Sequence, residues 1–290
     1  MELAKTHYEQ AIALDPQYAL AHALFADFHF GRTVMGFGSL REAAPVAKAM
    51  AHRALELDPS LPEAHGVLCV LAASFDYDWE EAARQFQLTM AQGSVSPQCR
   101  MNCGLFYLLP LGQPQAAAEQ LELAVQGDPL HSGMRSILAS CLGWMGRFAE
   151  AEQQLRQTMD LDPNYFPAYS HGSFIYSAQG KFAEALALAE KAVFLAPWYP
   201  IGVAAYAGAL ARTGEPARGK ELAEQRNHPI AWVQFYFACG ELDLAADWIE
   251  KAIEERYPTV LVFLQHPSAK PLRESARWPK LAKMLNLPVP

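Results

Sequence analysis

Two pairs of metal-binding side chains are the residues in this sequence that most resemble a chemical site. Cys99 and Cys103 are four residues apart, so on a helix their thiols share one face and could supply half of a metal site. His22 and His29 are seven residues apart with Asp27 between them, a spacing that also fits one helix face. Neither pair has further ligands at a matching spacing. We therefore predict that these side chains pack in the interior and that the chain binds no metal.

The motifs of the common catalytic and phosphate-binding sites do not occur in the sequence. It has no Gly-x-x-x-x-Gly-Lys-Ser/Thr or Gly-x-Gly-x-x-Gly loop, no His-Glu-x-x-His and no Gly-x-Ser-x-Gly. The acidic pair Glu80-Glu81 lies where a helix is expected to begin, and carboxylates there stabilise the helix dipole. We predict no catalytic residues, no cofactor and no enzyme activity.

Charge argues against nucleic acid as a partner. The formal net charge is −8, and no cluster of Lys and Arg occurs, although phosphate binding needs one. The densest basic stretch, between Lys270 and Lys283, is interleaved with apolar residues, as on the solvated face of a helix.

The cysteines and the apolar runs predict the compartment. The five cysteines are an odd number, scattered through apolar helical patterns, which is typical of buried free thiols in a reducing compartment. No run of 18 apolar residues and no signal-peptide layout is present. We therefore expect a cytoplasmic chain that makes no membrane contact.

A repeated proline sets the organisation of the chain. Pro129, Pro163 and Pro197 are 34 residues apart each time, and each follows an Asp or Ala. Pro59 precedes Pro129 by 70 residues, close to two periods, and Pro16 precedes Pro59 by 43, one period plus an insertion. Self-similarity at this period indicates a solenoid of repeats.

Each period contains the pattern of two helices. In the last clear period, residues 167–179 have the apolar face of a helix, and Gly180 ends this helix. A second helical pattern runs from Phe182 to the boundary at Pro197. The preceding period repeats this plan around Gly146. Neither helix can bury its apolar stripe alone, so stability must come from the stacking of neighbouring units.

This pattern resembles the tetratricopeptide repeat family. The residues that match its unit are Gly172 or Ser173, Tyr176, Gly180, Ala185, Ala192 and Pro197, and in the unit before them Leu138, Ala139, Leu142, Gly146, Ala151, Leu155 and Pro163. The resemblance covers residues 1 to about 256 and implies an all-α fold, a right-handed superhelical solenoid of antiparallel helix pairs.

The repeat boundaries predict the domain organisation. Residues 1–256 form the solenoid, which starts with a half repeat (1–16) and continues with about seven helix pairs, and residues 257–290 form a C-terminal capping segment. The first full unit carries an inserted loop at 31–38, followed by a capping box at 39–42. Because the chain begins in mid-repeat, we expect it to be a fragment of a longer protein.

A second resemblance concerns the context of the repeats. The long loop, the turn at 76–79 and the ending at 271–285 are similar to the C-terminal repeat regions of large bacterial signalling proteins, in which the repeats follow a Ser/Thr kinase, a nucleotide cyclase or a winged-helix domain. This resemblance implies a regulatory role for the chain.

The family resemblance also implies a binding surface. Its first helices line a concave groove for a partner's peptide or helix. Projected onto this chain, the groove consists of Asp27, Phe30, Val70, Ser74, Met101, Leu105, Leu108, Ser136, Ser140, Trp144, Ser170, Phe174, Ser177 and Arg212.

The residue types in this groove predict its ligand. The lining is small, apolar and aromatic, so we expect an apolar or mixed segment of a protein partner. Some family members bind a C-terminal carboxylate with Lys, Asn and Arg side chains. In this sequence only Asn102 lies near such a position. Alternatively, the loop 31–43, the C-terminal segment or a second copy of the chain fills the groove. Self-association into a homodimer is the rival function. A small-molecule-binding or catalytic helical repeat is the least favoured, because it would need convergent polar groups in one pocket and the sequence shows none.

Overall fold

The computed structural model describes residues 1–91 and 93–288, and within them it contains helices and no strand. There are eighteen α-helices: α1 (Glu2–Leu14), α2 (Ala19–Val34), α3 (Leu40–Leu57), α4 (Pro62–Leu71), α5 (Trp79–Met90), α6 (Pro97–Cys103), α7 (Pro114–Gly127), α8 (Ser132–Trp144), α9 (Phe148–Leu161), α10 (Phe166–Ala178), α11 (Phe182–Leu195), α12 (Pro200–Arg212), α13 (Pro216–Arg226), α14 (Pro229–Cys239), α15 (Leu242–Glu254), α16 (Thr259–Phe263), α17 (Lys270–Arg273) and α18 (Trp278–Met284). The described part of the chain has no helix long and apolar enough to cross a membrane.

The helices from α2 to α15 pack as successive pairs, and α1 packs against α2. Local sequence sets the ends of the helices. Gly180 has φ +76°, the left-handed conformation that lets the chain leave α10 and enter α11. Ser39 and Asp78 accept hydrogen bonds from the first-turn N–H groups of Arg41 and Glu81, so both predicted helix starts are confirmed. The predicted all-α solenoid is likewise confirmed.

One hydrogen bond recurs at the junctions between repeats. The side chain six residues after the junction proline lies within hydrogen-bonding distance of that proline's carbonyl oxygen. The four pairs are His22 and Pro16 (3.1 Å), His65 and Pro59 (3.0 Å), Arg135 and Pro129 (2.7 Å), and Tyr169 and Pro163 (2.7 Å). His22 and His65, which the sequence places at one repeat position, are therefore packing histidines that also hold the turn.

Small residues let the helices approach closely. The buried face of α3 consists of alanines together with Leu40. A Cβ atom added to Gly66 in α4 would lie 2.1 Å from the Sγ atom of Cys99 in α6, so only glycine fits there.

Two features of the repeats differ from the expected pattern. First helices α4 and α6 each continue into a π-helical turn, at Ala72–Asp76 and Gly104–Leu108, which shifts the register of the side chains that follow. The weaker repeats after Pro197 stack as the others do, with α12 packed against both α13 and α14.

The inserted loop is shorter than predicted. Helix α2 continues through the expected loop start at Gly31 as far as Val34, because Phe30 is buried against Phe106 at a ring distance of 5.0 Å. The segment 35–39 that remains crosses to the start of α12. There Phe37 meets Trp198 at 4.8 Å, and a Cβ atom on Gly36 would lie 2.8 Å from Pro200.

The segment after α15, which we call the tail (residues 257–288), folds back onto the first helices. Trp79 donates a hydrogen bond of 2.9 Å to the carbonyl oxygen of Leu285, and Gln265 donates one of 3.0 Å to that of Pro110. Leu272, Leu281 and Leu285 are fully buried. Arg277 binds three carboxylates of α15, those of Asp243, Asp247 and Glu250. The tail is thus an integral part of the packed interior.

Candidate binding groove

The predicted groove residues lie on the first helices of the pairs, and the tail contacts two of them, where Phe263 meets Phe174 at 5.5 Å and His266 meets Trp144 at 5.8 Å. Asp27, Leu105, Trp144 and Ser177 are half-buried, and Arg212 is exposed. The other nine are buried: Phe30, Val70, Ser74, Met101, Leu108, Ser136, Ser140, Ser170 and Phe174. The structure thus shows the tail in part of the groove, one of the alternatives left open by the sequence.

A cavity of about 120 Å³, which we call the chamber, remains in the middle of the inner surface. Four predicted residues line it together: Leu105, Ser140, Trp144 and Phe174. The tail supplies another wall, where the rings of Phe263 and Phe174 meet at 5.5 Å. The remaining lining is Val34, Met35, Phe106, Ile137, Tyr165, Pro167, His171, Tyr199, Ile201, Thr259 and Val262.

The chamber carries no formal charge at neutral pH. The only basic group in its lining is His171, and burial lowers the pKa of that imidazole to about 4, which keeps it neutral. Its Nδ1 atom lies 2.6 Å from the Oγ atom of Ser136, a further predicted groove residue. Burial raises the pKa of Tyr165 to about 12, so this phenol also stays neutral. The chamber therefore suits an apolar group.

A chain of aromatic rings leads from the chamber to the solvent. Tyr199, in the chamber wall, contacts Phe166 at 5.0 Å, and Phe166 contacts Trp198 at 5.3 Å. Trp198 is 45% exposed and Phe37 is 37% exposed, so the outer end of this row of aromatic rings is open to a partner. We call these four residues the aromatic rim.

A second cavity, the polar pocket, has a volume of about 210 Å³ and lies between α10, α12, α14 and the tail. Three predicted residues, Phe174, Ser177 and Arg212, line it together with Gln234, His266 and Ser268. Burial, with the charges of Arg212 and Arg273, lowers the pKa of His266 to about 3, so this ring is neutral at physiological pH.

The N-terminal end of the inner surface has a different character. Asn102 donates a hydrogen bond of 2.6 Å to the carboxylate of Asp27, and Glu63 lines the same cavity of about 20 Å³. Burial raises the pKa of Asp27 to about 6. The amide of Asn102 is thus engaged with a carboxylate of the chain itself.

Four of the five cysteines are buried free thiols, but the expectation fails at Cys239, which is exposed. It is the last residue of α14, where the helix ends at Gly240 and leaves its side chain uncovered. In residues 1–91 and 93–288, no group of three or more His, Cys, Asp and Glu side chains is arranged to hold a metal ion.

Sequence reasoning missed the residues that the tail and the weaker repeats contribute. Gln234 lies in a repeat whose pattern is weak, and Val262, Phe263 and His266 lie in the segment expected to be only a cap. The apolar run from Val260 to Leu264 was the one available indication that this segment is buried, since a solvent-exposed cap would not carry a continuous apolar run.

Comparison with known proteins confirms the repeat type. Residues 108–171 match the family model described as tetratricopeptide repeat. A tetratricopeptide repeat protein from Parabacteroides merdae has a similar structure, with a TM-score of 0.54 and 15% identity over 89% of this chain and 98% of that one. Yeast Tom70 is also similar, with a TM-score of 0.51 and 15% identity over 98% of this chain and 62% of that one. No curated protein matches this chain.

These comparisons define the class of protein. The chain is an all-α solenoid of the tetratricopeptide type, and residues 108–171 are tetratricopeptide repeats. Proteins of this type generally mediate protein–protein interactions.

Proposed function

We propose that this chain is a protein-interaction module that binds an apolar or mixed segment of a partner at the aromatic rim and in the chamber. The observation that carries the proposal is the continuous path of rings from exposed Trp198 through Phe166 to Tyr199 in the chamber wall. Exposed aromatic residues beside a largely apolar pocket are typical of the few positions that supply most of the free energy of binding.

The size of the chamber limits what it accepts. A cavity of 150 Å³ lined by apolar side chains takes up benzene, so one of about 120 Å³ suits a single branched aliphatic side chain. The residues flanking this anchor would lie on Trp198 and Phe37. The partner is therefore a short segment with one inserted apolar side chain.

The biological setting is also part of the proposal. The resemblance of the loop and the ending to repeat regions of bacterial signalling proteins supports a regulatory, non-enzymatic role in the bacterial cytoplasm. In that setting the bound partner regulates an activity carried elsewhere in a larger protein.

The test is selection of peptides from a random display library, followed by titration of a labelled peptide by fluorescence polarisation. Trp198→Ala should weaken binding at least tenfold, about 1.4 kcal/mol. Phe194→Ala is the matched control, since this aromatic residue is 78% exposed and stands outside the rim. Peptides that bind the wild type and Trp198→Ala equally well would refute the proposed site.

Self-association is a second candidate because of α1. This helix has no buried residue, and Leu3 and Leu14 are 70% and 88% exposed. If this face joins two copies, light scattering will show a mass that rises with concentration, and Leu3→Lys with Leu14→Lys will abolish the rise. A constant monomer mass in the wild type would exclude dimerisation through α1.

A further inference from the structure

The polar pocket contains donor groups that nothing in the described chain satisfies. The amide nitrogen of Gln234 and the Nε2 atom of His266 are both buried and have no hydrogen-bond partner among the described residues. Gln234 is 5% exposed and His266 is 3% exposed, and both residues line the pocket. Buried polar atoms of native proteins are nearly always paired, so two unpaired atoms on residues that line one cavity point to a missing partner.

The hydrogen bonds of His266 define what Nε2 offers. The backbone N–H of Ser268 donates to Nδ1 at 3.1 Å, so Nδ1 is an acceptor without a proton. In a neutral imidazole the proton then lies on Nε2, which makes Nε2 a donor. Gln234 offers a second donor, because its side-chain amide nitrogen is unpaired and the residue lines the pocket. Both unpaired atoms therefore call for an acceptor.

Arg212 gives the pocket its charge. Its guanidinium lies over the ring of Phe182 at 5.5 Å and forms no salt bridge within residues 1–91 and 93–288. Neither Asp nor Glu is among the residues lining the pocket. In a chain with a net charge of −8, a cavity with one cation and no acid selects an anion.

The other walls define the rest of the ligand. Ala178, Ala205, Ala209 and Ala238 line the pocket with methyl groups, and these suit a short aliphatic chain. One positive charge and two neutral donors match a group with a single negative charge and two acceptor oxygens. A carboxylate fits this description, whereas a phosphate dianion would need further positive charge.

We propose that the polar pocket binds a carboxylate group through Arg212, Gln234 and the Nε2 atom of His266. The carboxylate belongs either to a free aliphatic acid or to an acidic residue of a bound segment. Phe174 lines both the chamber and the pocket, so a segment anchored in the chamber would reach the pocket with a neighbouring side chain. A carboxylate on a bound segment rests on the proposed function, whereas a free aliphatic acid does not.

The first arm of the test uses butyrate and its neutral analogue butyramide, with isothermal titration of the whole chain. Butyrate should bind saturably, and butyramide at least tenfold more weakly. Arg212→Gln should weaken butyrate binding at least tenfold and lower the melting temperature only slightly, because Arg212 is exposed and loses only its contact with the ring of Phe182. The matched control is Arg218→Gln, whose exposed guanidinium pairs with Glu215 away from the pocket. Butyrate that fails to saturate, or that binds Arg212→Gln as well as the wild type, would overturn the proposal.

Two more variants address the buried donors. Gln234→Leu and His266→Phe keep the volumes of these side chains and remove the donors, so each should weaken butyrate binding severalfold, and circular dichroism checks that each remains folded. If a buried variant unfolds, the comparison of butyrate with butyramide on the wild type and on Arg212→Gln still tests whether the pocket binds a carboxylate.

The second arm separates the two sources of the carboxylate. Peptides selected on the wild type are remade with each Asp or Glu replaced by its amide. If the amide replacement weakens binding to the wild type tenfold but has no effect on binding to Arg212→Gln, the carboxylate belongs to the bound segment. Peptides that depend on Trp198 but not on their acidic residues would leave the proposed function standing and reject the segment source. Butyrate binding without any selected peptide would support the pocket and reject the proposed function.

Discussion

The indole nitrogen of Trp79 donates a hydrogen bond of 2.9 Å to the carbonyl oxygen of Leu285, which joins the start of α5 to the end of the tail. Beside this bond, Asn286 donates a hydrogen bond of 3.1 Å to the carbonyl oxygen of Tyr77. The tail therefore stabilises repeats that are about two hundred positions away in the sequence.

Trp79→Phe tests this junction. The ring still packs, but the carbonyl oxygen of Leu285 loses its donor, so the free energy of unfolding should fall by about 1–3 kcal/mol. Urea denaturation gives the size of the change, and faster hydrogen exchange in α18 would place it in the tail. Gln87→Ala, an exposed change on the same helix, should stay within about 0.5 kcal/mol. Equal effects of the two variants would contradict this role of Trp79.

Two helical glycines should respond to alanine in opposite directions. At Gly66 a Cβ atom would lie 2.1 Å from the Sγ atom of Cys99, whereas at Gly31 it would meet nothing within 4 Å. Gly66→Ala should destabilise the protein by about 1–3 kcal/mol through overpacking. Gly31→Ala should stabilise it by roughly 0.5–1 kcal/mol, since alanine favours helix. Denaturant midpoints measure both, and adding Cys99→Ala to Gly66→Ala should recover most of the loss.

Asp27 should make stability depend on pH. Its folded pKa is about 6 and its unfolded value is 3.8, so the folded state holds the proton more tightly, and the contribution of this carboxyl falls as pH rises from about 4 to about 6. Asp27→Asn removes this titration and should gain about 1–3 kcal/mol relative to the wild type across that window. Urea denaturation at several pH values gives the difference. A difference between the two proteins that is constant with pH would contradict the prediction.

The thiols should divide into one fast and four slow groups. Cys239 is exposed, whereas Cys69, Cys99, Cys103 and Cys141 are buried, and burial raises the pKa of Cys141 to about 12. A chromogenic disulfide reagent at pH 8 should therefore modify one thiol quickly in the native protein and the rest only on unfolding. Cys239→Ser should abolish the fast phase, and a second fast thiol would show that one of the buried sites opens.

Local features of the fold could be predicted from the sequence because they depend on local chemistry. The period of the prolines, the caps at Ser39 and Asp78, and the turn at Gly180 each follow from a few neighbouring residues. The position of the tail could not be predicted in this way, because the contact of Trp79 with Leu285 depends on the pitch accumulated over six repeats, which no single period encodes.

The residues of the candidate site also separate into those that the local repeat pattern predicts and those that it does not. Phe174, Ser177 and Arg212 meet in one pocket because the successive first helices α10 and α12 pack side by side, as the repeat pattern implies. Gln234 and His266 complete the pocket from a weak repeat and from the tail, where no periodicity points to them. The π-helical turn at Ala72–Asp76 shifts the register without any change in composition, so projection from one repeat to the next cannot anticipate it. Whether these residues bind a partner stays a prediction.

The return of the tail to α5 also restricts how this architecture can evolve. In an open solenoid, a unit can be duplicated or deleted and the ends simply move apart. Here an added unit between α5 and the tail would carry Leu285 away from Trp79, and one added between α3 and Trp198 would also separate Phe37 from Trp198. The number of helix pairs between the partners of each contact is therefore constrained, and homologues that retain both contacts should vary in sequence but not in that number.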